Sequence, residues 1–496
     1  MINKIGHDRI LSPRGISSLA ATVAALLCIQ FSLAAALSIQ GPDVKPGDFR
    51  ITTFASGLNY PLGMARLPDG SLLVATSEGT SYWNSNGKLL RLVDADQNGV
   101  ADGPGTVLYS GLTGGLTSLR IGGTLVFVTG QGSGRPVTIL RLGATPTTPL
   151  TLVGQIVVNY PAGGWEHPHS ALAVRPTPGQ SQSYDLFFQF GSQANFAPST
   201  SAGSISSTNI AGASGPLLGD SIYMLTLIDG GTGVSATNLT RVASGLRNPA
   251  GFAFHPATGD LYFQDNGIDG LVDPNEPLST DELNLIRTAD IGGATVEFFG
   301  FPNNYAAYRT GTVVGGQGIQ PLVAFQPQPD PFTGEESEGA NDIVFAPPAF
   351  PDGLNNGIFL GFHGKFNLGG TNNEENPLVF VDLASTNYFH FTRARQPNVG
   401  HLDGLLATED SLFVADLTTS GSLDNGSGLG VIYQIRSLVL PSVRVKPVGQ
   451  NIELTWSYGT LQEAESVSGQ WSDVTNASSS YMVEIDSQQK FFRTRN

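Results

Sequence analysis

One short phrase recurs along the chain: a glycine-containing turn, an apolar run, a Pro/Asp/Gly turn and a second apolar run. Its copies occupy residues 57–76, 114–130, 167–192, 245–267, 339–364 and 399–421. Each copy is typical of a β-hairpin, because both apolar runs are short and turn-forming residues separate them. A hairpin cannot bury its apolar faces alone, whereas six hairpins stacked around one axis can. The repeat therefore predicts an all-β fold in which residues 42–436 form a six-bladed β-propeller.

The residues that flank the repeats predict how the ring closes. The extended stretch 49–55 precedes the first copy, and 431–436 follows the last. We expect these two stretches to lie side by side in one sheet. A pair of β-sandwiches is the alternative, disfavoured because it would not repeat the phrase so regularly. With 62 glycines, 31 prolines and 13% charged residues, the composition is that of a turn-rich β protein.

Three long segments interrupt the repeat at 193–220, 268–280 and 301–337. The first is rich in Ser, Gly and Ala, and we interpret it as a spacer; the second is acidic. The third carries the aromatic residues Tyr305, Tyr308, Phe325 and Phe332. Long loops in compact proteins are often functional, so the third segment is expected either to wall a sugar-sized pocket or to pack as a cap.

The repeat stops near Pro441, and the pattern then changes. Apolar residues alternate over 451–458, and two further short strands are expected near 481–485 and 491–495. These features predict a separate β module over 441–496. The module resembles short C-terminal β modules appended to exported bacterial proteins, and this resemblance assigns no chemistry to it.

The first 36 residues read as a secretory signal peptide. A basic start is followed by an apolar run over 16–33 and by the small residues Ala34, Ala35 and Ala36, which offer a cleavage site. A membrane anchor is the less favoured alternative. The signal predicts a periplasmic or secreted protein whose mature chain has no membrane span. Because Cys28 is the chain's one cysteine and lies in this segment, the mature chain is expected to lack disulfides and thiol chemistry.

The formal net charge of −16 restricts the possible partners. Nucleic acid would be repelled, and no basic stripe offsets this charge. Neutral or cationic small molecules and divalent metal ions remain suitable ligands.

One copy of the phrase carries a family resemblance. The sequence GLRNPAGFAFHPATGDLYFQDNG at 245–267, followed by DELNLI at 281–286 and GFPNN at 300–304, resembles the glucose/sorbosone dehydrogenase family. The resemblance implies a six-bladed propeller that binds pyrroloquinoline quinone (PQQ) and calcium. It also implies a small-molecule sugar or aldose as substrate and an external electron acceptor.

The resemblance extends to individual residues. It implies that His167, which stands five residues before Leu172, is the general base, whereas His169 does not match this spacing. It implies cofactor contacts by Arg247, Asn248, Lys365 and His401. His401 replaces the family's usual arginine, and GGLTSL at 114–119 lacks the family's glutamine.

The metal residues are likewise implied by the resemblance. The backbone carbonyls of Gly267 and Ile268 match the family's ligands of the quinone-bound calcium, and Asp281 and Glu282 match acidic positions near a further calcium site. Carbonyl and carboxylate oxygens are the ligands that calcium prefers.

A second acidic segment is independent of the family. DADQNGVADG at 94–103 follows the spacing of an EF-hand loop but continues without its final glutamate. A partial calcium site and an ordinary Asx-rich turn both remain open.

The first functional prediction is therefore an exported PQQ- and calcium-dependent dehydrogenase of sugars. A non-catalytic propeller that binds a glycan or protein is the alternative, and the two departures from the family pattern favour it. A metal-assisted lactonase is disfavoured, because its usual ring of metal ligands is not recognisable.

Overall fold

A computed structural model describes residues 37–84, 86–272, 276–328, 339–439, 442–456, 458–485 and 489–495. The predicted signal peptide lies outside the described residues. The regular structure of the described residues consists of β-strands and two 3₁₀ turns, Pro46–Asp48 and Gly370–Asn372. Within the described part of the chain, no helix has the length and apolar character needed to cross a membrane.

Six sheets follow one another along the chain, and we name them I to VI. Sheet I contains Pro61–Arg66, Leu72–Glu78, Asn86–Leu92 and Thr106–Leu112. Sheet II contains Leu116–Gly122, Leu125–Gly130, Val137–Arg141, Thr151–Asn159, Ala202–Thr208 and Gly215–Leu218. Sheet III contains Leu172–Pro176, Ser183–Phe190, Ser221–Asp229, Val234–Ser244 and Ile210–Ala211, with Glu297–Phe298 beside the fourth of these strands.

The remaining three sheets have four strands each. Sheet IV contains Pro249–Phe254, Leu261–Asp265, Glu282–Ile286 and Val323–Ala324. Sheet V contains Ala340–Phe345, Gly357–Phe362, Leu378–Asp382 and Tyr388–Thr392. Sheet VI contains Gly404–Ala407, Ser411–Asp416, Gly430–Ser437 and Phe49–Leu58. A small hairpin pairs Tyr305–Ala306 with Val313–Val314.

The first strand of each sheet, in the order given above, contacts the first strand of the next sheet, and the first strand of sheet VI contacts that of sheet I. The six sheets thus surround one axis. An apolar layer fills the interfaces between neighbours. Phe127 of sheet II and Phe188 of sheet III belong to one such layer, and Phe187 of sheet III and Phe263 of sheet IV belong to another. Such layers remove from water the faces that a single hairpin would leave exposed. The predicted all-β propeller class is confirmed.

The ring closes as the sequence predicted. Phe49–Leu58 runs antiparallel to Gly430–Ser437, with Phe49 opposite Ser437 and Leu58 opposite Gly430. The first described strand of the chain therefore completes sheet VI, and its backbone hydrogen bonds to Gly430–Ser437 join the two ends of the ring.

Two interpretations of the long segments change. The segment 193–220 is more than a spacer, because Ala202–Thr208 and Gly215–Leu218 extend sheet II. In the third segment, Phe325 is fully buried in the core, whereas Tyr308 lines a cavity. That segment therefore contributes both to packing and to a pocket wall, and Phe332 lies outside the described residues.

Beyond residue 441 the described strands form two three-stranded sheets. One contains Arg444–Val448, Asn451–Thr455 and Tyr481–Glu484, and the other contains Ser472–Asp473, Thr460–Ala464 and Phe491–Arg495. Leu454, Trp456 and Leu461 form their shared apolar core.

Candidate functional site at one end of the ring

The residues singled out in the sequence lie where the first strand of a sheet begins and the second ends. Arg247 and Asn248 directly precede Pro249–Phe254, and Asp265 ends the paired strand. His363 directly follows the second strand of sheet V. Because paired antiparallel strands bring the start of one beside the end of the other, these turns gather at one end of the ring.

A main cavity of about 480 Å³ opens among these turns. Its walls include His167, Arg247, Asn248, Gly267, Asp281, Tyr308, His363, Lys365 and Phe366. The named residues therefore combine two cations, a carboxylate, two imidazoles, an amide and two aromatic rings. Six of the residues predicted for the site meet here.

Arg247 is held firmly in the wall of the main cavity. Its side chain is 4% exposed, and its Nη2 lies 2.7 Å from Oδ2 of Asp269 and 2.8 Å from Oδ1 of Asn195. Its backbone N–H and that of Asn248 donate to the two oxygens of Asp265, at 2.9 and 2.5 Å. The guanidinium is thus oriented by Asn195 and Asp269, and the backbone beside it by Asp265.

His167 is a neutral imidazole in this environment. Burial, together with the positive charge of Arg247, lowers the pKa of His167 to about 2. Its Nδ1 lies 2.7 Å from Oγ of Ser192, which donates its own proton to the carbonyl of Ala194. We therefore assign the ring proton to Nδ1, which leaves the lone pair on Nε2.

His169 has a different environment. One ring nitrogen contacts the hydroxyl of Tyr160, and the other lies 2.7 Å from the carbonyl oxygen of Arg135. The ring is 1% exposed and holds neighbouring loops together. The two histidines thus differ in environment: His167 lines the main cavity, and His169 is not among the described residues that line it.

A second imidazole, His363, lines the main cavity beside a carboxylate. Its Nδ1 lies 2.8 Å from Oδ2 of Asp403, whose side chain is 1% exposed. Burial alone would raise the pKa of Asp403, but the charge and hydrogen bond of His363 bring it below its usual value. The ring of His401 stacks on His363, with the ring centroids 3.8 Å apart and the planes at 1°.

His401 itself is not among the described residues that line the main cavity. Its ring nitrogens lie 2.7 Å from the carbonyl oxygen of His363 and 2.9 Å from that of Gly421. The residue is fully buried, so it supports His363 from behind. The family resemblance implied that His401 contacts a cofactor directly. Its ring instead occupies a buried position behind His363.

Lys365 lines the main cavity near its rim. Its Nζ contacts Glu374 and lies 3.5 Å from Glu375. The cation is therefore paired, as Arg247 is.

The turn that carries the predicted metal residues lies between sheets IV and V. The two carboxylate oxygens of Asp281 accept the N–H groups of Gly267 and Ala340, each at 2.8 Å. The carbonyl of Ile268 accepts the N–H groups of Leu278 and Ser279. Both lone pairs of that carbonyl are engaged, so Ile268 is not available as a calcium ligand in this conformation.

Beside this turn lies a small cavity of about 20 Å³, enough for one ion or water. Asp265, Thr280 and Glu282 are among its walls. Burial, with repulsion from neighbouring carboxylates, raises the pKa of Glu282 to about 8 and that of Asp265 to about 7. The Thr280 hydroxyl is buried without a hydrogen-bond partner among the described residues. This donor set fits a cation that prefers oxygen ligands.

A second cavity of about 270 Å³ adjoins the main one. The two cavities share Asn248, Asn266, Gly339, His363 and Phe366. The second cavity adds Tyr82, Trp83, Gln131, Asn341 and Asp403. Aromatic faces and amide groups of this kind suit a neutral polyhydroxylated ligand.

The segment 94–102 lies apart from these cavities. Asp94 accepts the N–H groups of Asn98 and Gly99, and Asp102 accepts that of Ala95. The carboxylates of Asp94, Asp96 and Asp102 come within 4.8 Å of one another. The hydrogen bonds are those of an Asx-rich turn.

Sequence reasoning missed several residues of the site. Asn195 and Asp269 orient Arg247, Ser192 contacts His167, and Asp403 contacts His363. The sequence did contain a signal for the last pair. His363 lies at the end of one repeat and Asp403 near the start of the next, and these two positions come together in a propeller.

Comparison of the sequence with known proteins does not show a family. No family model matches the sequence. A curated relative, an uncharacterized protein of Borreliella burgdorferi, is 43% identical over 75 residues, which are 14% of this chain and 17% of that protein's length. The chain thus spans about one sixth of that relative.

Solved structures resemble the chain over most of its length. A calcium structure of a Trichoderma reesei carbohydrate-active enzyme of family AA12 has 17% identity and a TM-score of 0.50, covering 81% of this chain and 98% of that chain. The PQQ-bound aldose sugar dehydrogenase of Streptomyces coelicolor has 17% identity and a TM-score of 0.46, covering 79% and 99%. The holo PQQ domain of a Coprinopsis cinerea pyranose dehydrogenase has 14% identity and a TM-score of 0.48, covering 81% and 97%. The likeness to the Trichoderma reesei enzyme supports the propeller fold that the resemblance to the glucose/sorbosone dehydrogenases predicted.

Proposed function

We propose that this chain is an exported dehydrogenase that uses PQQ and calcium to oxidise a sugar or aldose-like substrate. The observation that carries the proposal is the meeting of His167, Arg247, Asn248 and Lys365 on one cavity of about 480 Å³. These residues come from three different sheets or their connecting turns, and the family resemblance named all of them.

The residues of the main cavity fit a planar, carboxylated quinone. Arg247 and Lys365 would hold its carboxylates through charge-assisted hydrogen bonds, and the Asn248 amide would contact its polar edge. When bound, the quinone would accept a hydride, which carries two electrons, from the substrate carbon. The protein must then accept the hydroxyl proton, and the resemblance assigns this task to His167.

Calcium would be held near the turn 265–282. Gly267 and Asp281 border the main cavity, and Asp265 and Glu282 border the small one. A cation in the small cavity would offset the repulsion between those carboxylates. The substrate would use the second cavity, whose aromatic and amide walls suit a sugar.

The direct test adds PQQ and calcium to purified apo-protein. We expect a quinone absorption band on the protein and reduction of an artificial electron-accepting dye when an aldose is added. If neither the absorption band nor dye reduction appears with any aldose of a panel, the proposal is contradicted. Export is tested separately by intact mass, which should show cleavage near 34–36.

A non-catalytic glycan-binding propeller is the second candidate. One observation favours it: Arg247 and Lys365 are both already paired with acidic residues of the chain. Calorimetry with aldoses in the absence of PQQ separates the two. Binding of sugar without quinone, combined with no quinone band, supports the second candidate.

A further inference from the structure

An imidazole and two carboxylates converge at the wall of the main cavity. A ring nitrogen of His167 and one carboxylate oxygen each of Glu166 and Asp269 lie within 4.8 Å of one another. Glu166 and His167 lie in the turn before the first strand of sheet III, and Asp269 follows the second strand of sheet IV. Ligand atoms about 2.1 Å from a tetrahedral zinc ion lie roughly 3.4 Å apart, so small rotations of the two acidic side chains would complete a metal site.

The imidazole of His167 has one nitrogen available to an ion. Its Nδ1 lies 2.7 Å from Oγ of Ser192, whereas Nε2 has no hydrogen-bond partner in the described part of the chain. Although the residue is only 6% exposed, this Nε2, unlike that of His363, is not closed off from solvent. A neutral imidazole whose other nitrogen is held by a hydrogen bond is a common metal ligand.

Both carboxylates can reach an ion beside that nitrogen. Glu166 is exposed, and its side chain has no hydrogen-bond or ion-pair partner among the residues that the structure describes. The side chain of Asp269 is 53% exposed and contacts Arg247 through Oδ2. Its Oδ1 has no such contact within the described ranges, so this oxygen is available while Arg247 holds the other.

The local charge also favours a cation. Arg247 opposes a second positive charge near His167, but Glu166 and Asp269 together carry two negative charges against its single positive one. A divalent ion at this cluster therefore meets an excess of negative charge.

The types of ligand decide which ion fits. Calcium takes oxygen ligands alone, whereas zinc accepts an imidazole nitrogen together with carboxylate oxygens. Three protein ligands would leave the fourth position of a tetrahedral zinc ion to water. The cluster thus differs in its selectivity from the oxygen-lined cavity beside Glu282.

We propose that Glu166, His167 and Asp269 bind a zinc ion, with Nε2 of His167 as the nitrogen ligand. An ion in this position occupies the lone pair that the base needs, so zinc and the substrate hydroxyl compete for one atom. The metal site rests on the geometry of the three side chains. Its inhibitory effect rests on the proposed function, in which His167 is the base.

Binding is tested on purified apo-protein with Co²⁺ as a coloured substitute for zinc, in excess calcium so that oxygen-only sites are filled. Wild-type protein should give visible cobalt absorption bands that added Zn²⁺ removes. His167→Gln should abolish the bands, and Glu166→Gln should weaken Co²⁺ binding roughly tenfold or more. Asp94→Asn, in the other acidic cluster, is the control and should bind like the wild type. A wild type without bands, or bands that persist unchanged in His167→Gln, overturns the inference.

Competition is tested on the PQQ- and calcium-loaded enzyme. Zinc should raise the KM for the aldose while kcat at saturating aldose changes little, and excess calcium should not relieve the inhibition. Glu166→Gln, compared with its own zinc-free activity, should need roughly tenfold more zinc for the same inhibition. Equal zinc sensitivity of the wild type and Glu166→Gln overturns the inference.

The two proposals fail in distinguishable ways. An active enzyme that binds Co²⁺ through His167 but is not inhibited by zinc overturns the competition and leaves the dehydrogenase function standing. A protein that binds Co²⁺ through His167 but oxidises no aldose with PQQ and calcium contradicts the proposed function and supports the metal site alone.

Discussion

At the scale of single residues, the site is built from side chains whose partners decide their chemistry. Arg247 is the clearest case, because a buried guanidinium needs acceptors on several sides. Asn195 and Asp269 supply them, and both come from segments outside the repeated hairpins. The same principle separates His167 from His363.

Arg247→Ala should weaken quinone binding at least tenfold, because the proposed charge-assisted contact to a quinone carboxylate would be lost. Arg247→Lys should recover only part of the affinity, since an ammonium lacks the planar fork. Titration of the quinone absorption band measures both. Arg393→Ala, at an exposed position, is the control; an equal loss there would contradict the assignment.

At the scale of elements, pairs of strands bring charges together. Asp265 lies opposite Glu282 in the pairing of Leu261–Asp265 with Glu282–Ile286. Arg120 of sheet II lies 2.8 Å from Asp342 of sheet V. These two sheets are on opposite sides of the ring, so this ion pair bridges the central channel.

The carboxylates at 265 and 282 predict how stability depends on pH. Their folded-state pKa values, about 7 and about 8, lie above those of an unfolded chain, so the folded state binds more protons between roughly pH 4 and pH 8. The free energy of unfolding of the calcium-free protein should therefore fall as pH rises through this window. Urea melts at several pH values measure it.

Glu282→Gln is the control for that dependence, because the amide cannot titrate. The decline with pH should become shallower in this variant. The opposite outcome, a free energy of unfolding that rises steadily from pH 5 to pH 8 in the calcium-free wild type, would contradict the raised pKa values of Asp265 and Glu282.

Arg120→Met should lower the free energy of unfolding by about 3 kcal/mol, because the buried carboxylate of Asp342 loses its partner. The double variant Arg120→Met/Asp342→Asn should recover much of the loss, since it removes the uncompensated charge. Denaturant melts measure both variants. Equal stability of the wild type and Arg120→Met would show that the bridge contributes little.

At the scale of the whole molecule, six apolar layers alternate with six sheets, and the strand Phe49–Leu58 closes the ring beside Gly430–Ser437. The site lies at one end of this ring, where turns from separate sheets converge. A ligand at that end contacts several sheets at once, so its binding stabilises the assembled ring.

Calcium at a hundredfold excess over Kd should stabilise the folded protein by about 2.7 kcal/mol, because it binds the folded state alone. Divided by the entropy of unfolding of a chain this size, this free energy corresponds to a rise in melting temperature of about 3 °C. Thermal melts with calcium and with a chelator measure the shift. Glu282→Gln should reduce it, whereas Asp94→Asn should leave it unchanged. A shift lost only in Asp94→Asn would place the ion in the segment 94–102 instead.

The sequence by itself determined the hairpins and the closing strand, because alternation of apolar residues and turn formers is a local property. It also named Arg247, Asn248 and Lys365, through motifs that continue along the chain. Only the tertiary structure decided that His363 meets Asp403, which lies 40 residues away, and that Arg120 meets Asp342, which lies 222 residues away. Such pairs depend on which turns face each other once the ring has closed, and no periodicity within one hairpin encodes that geometry.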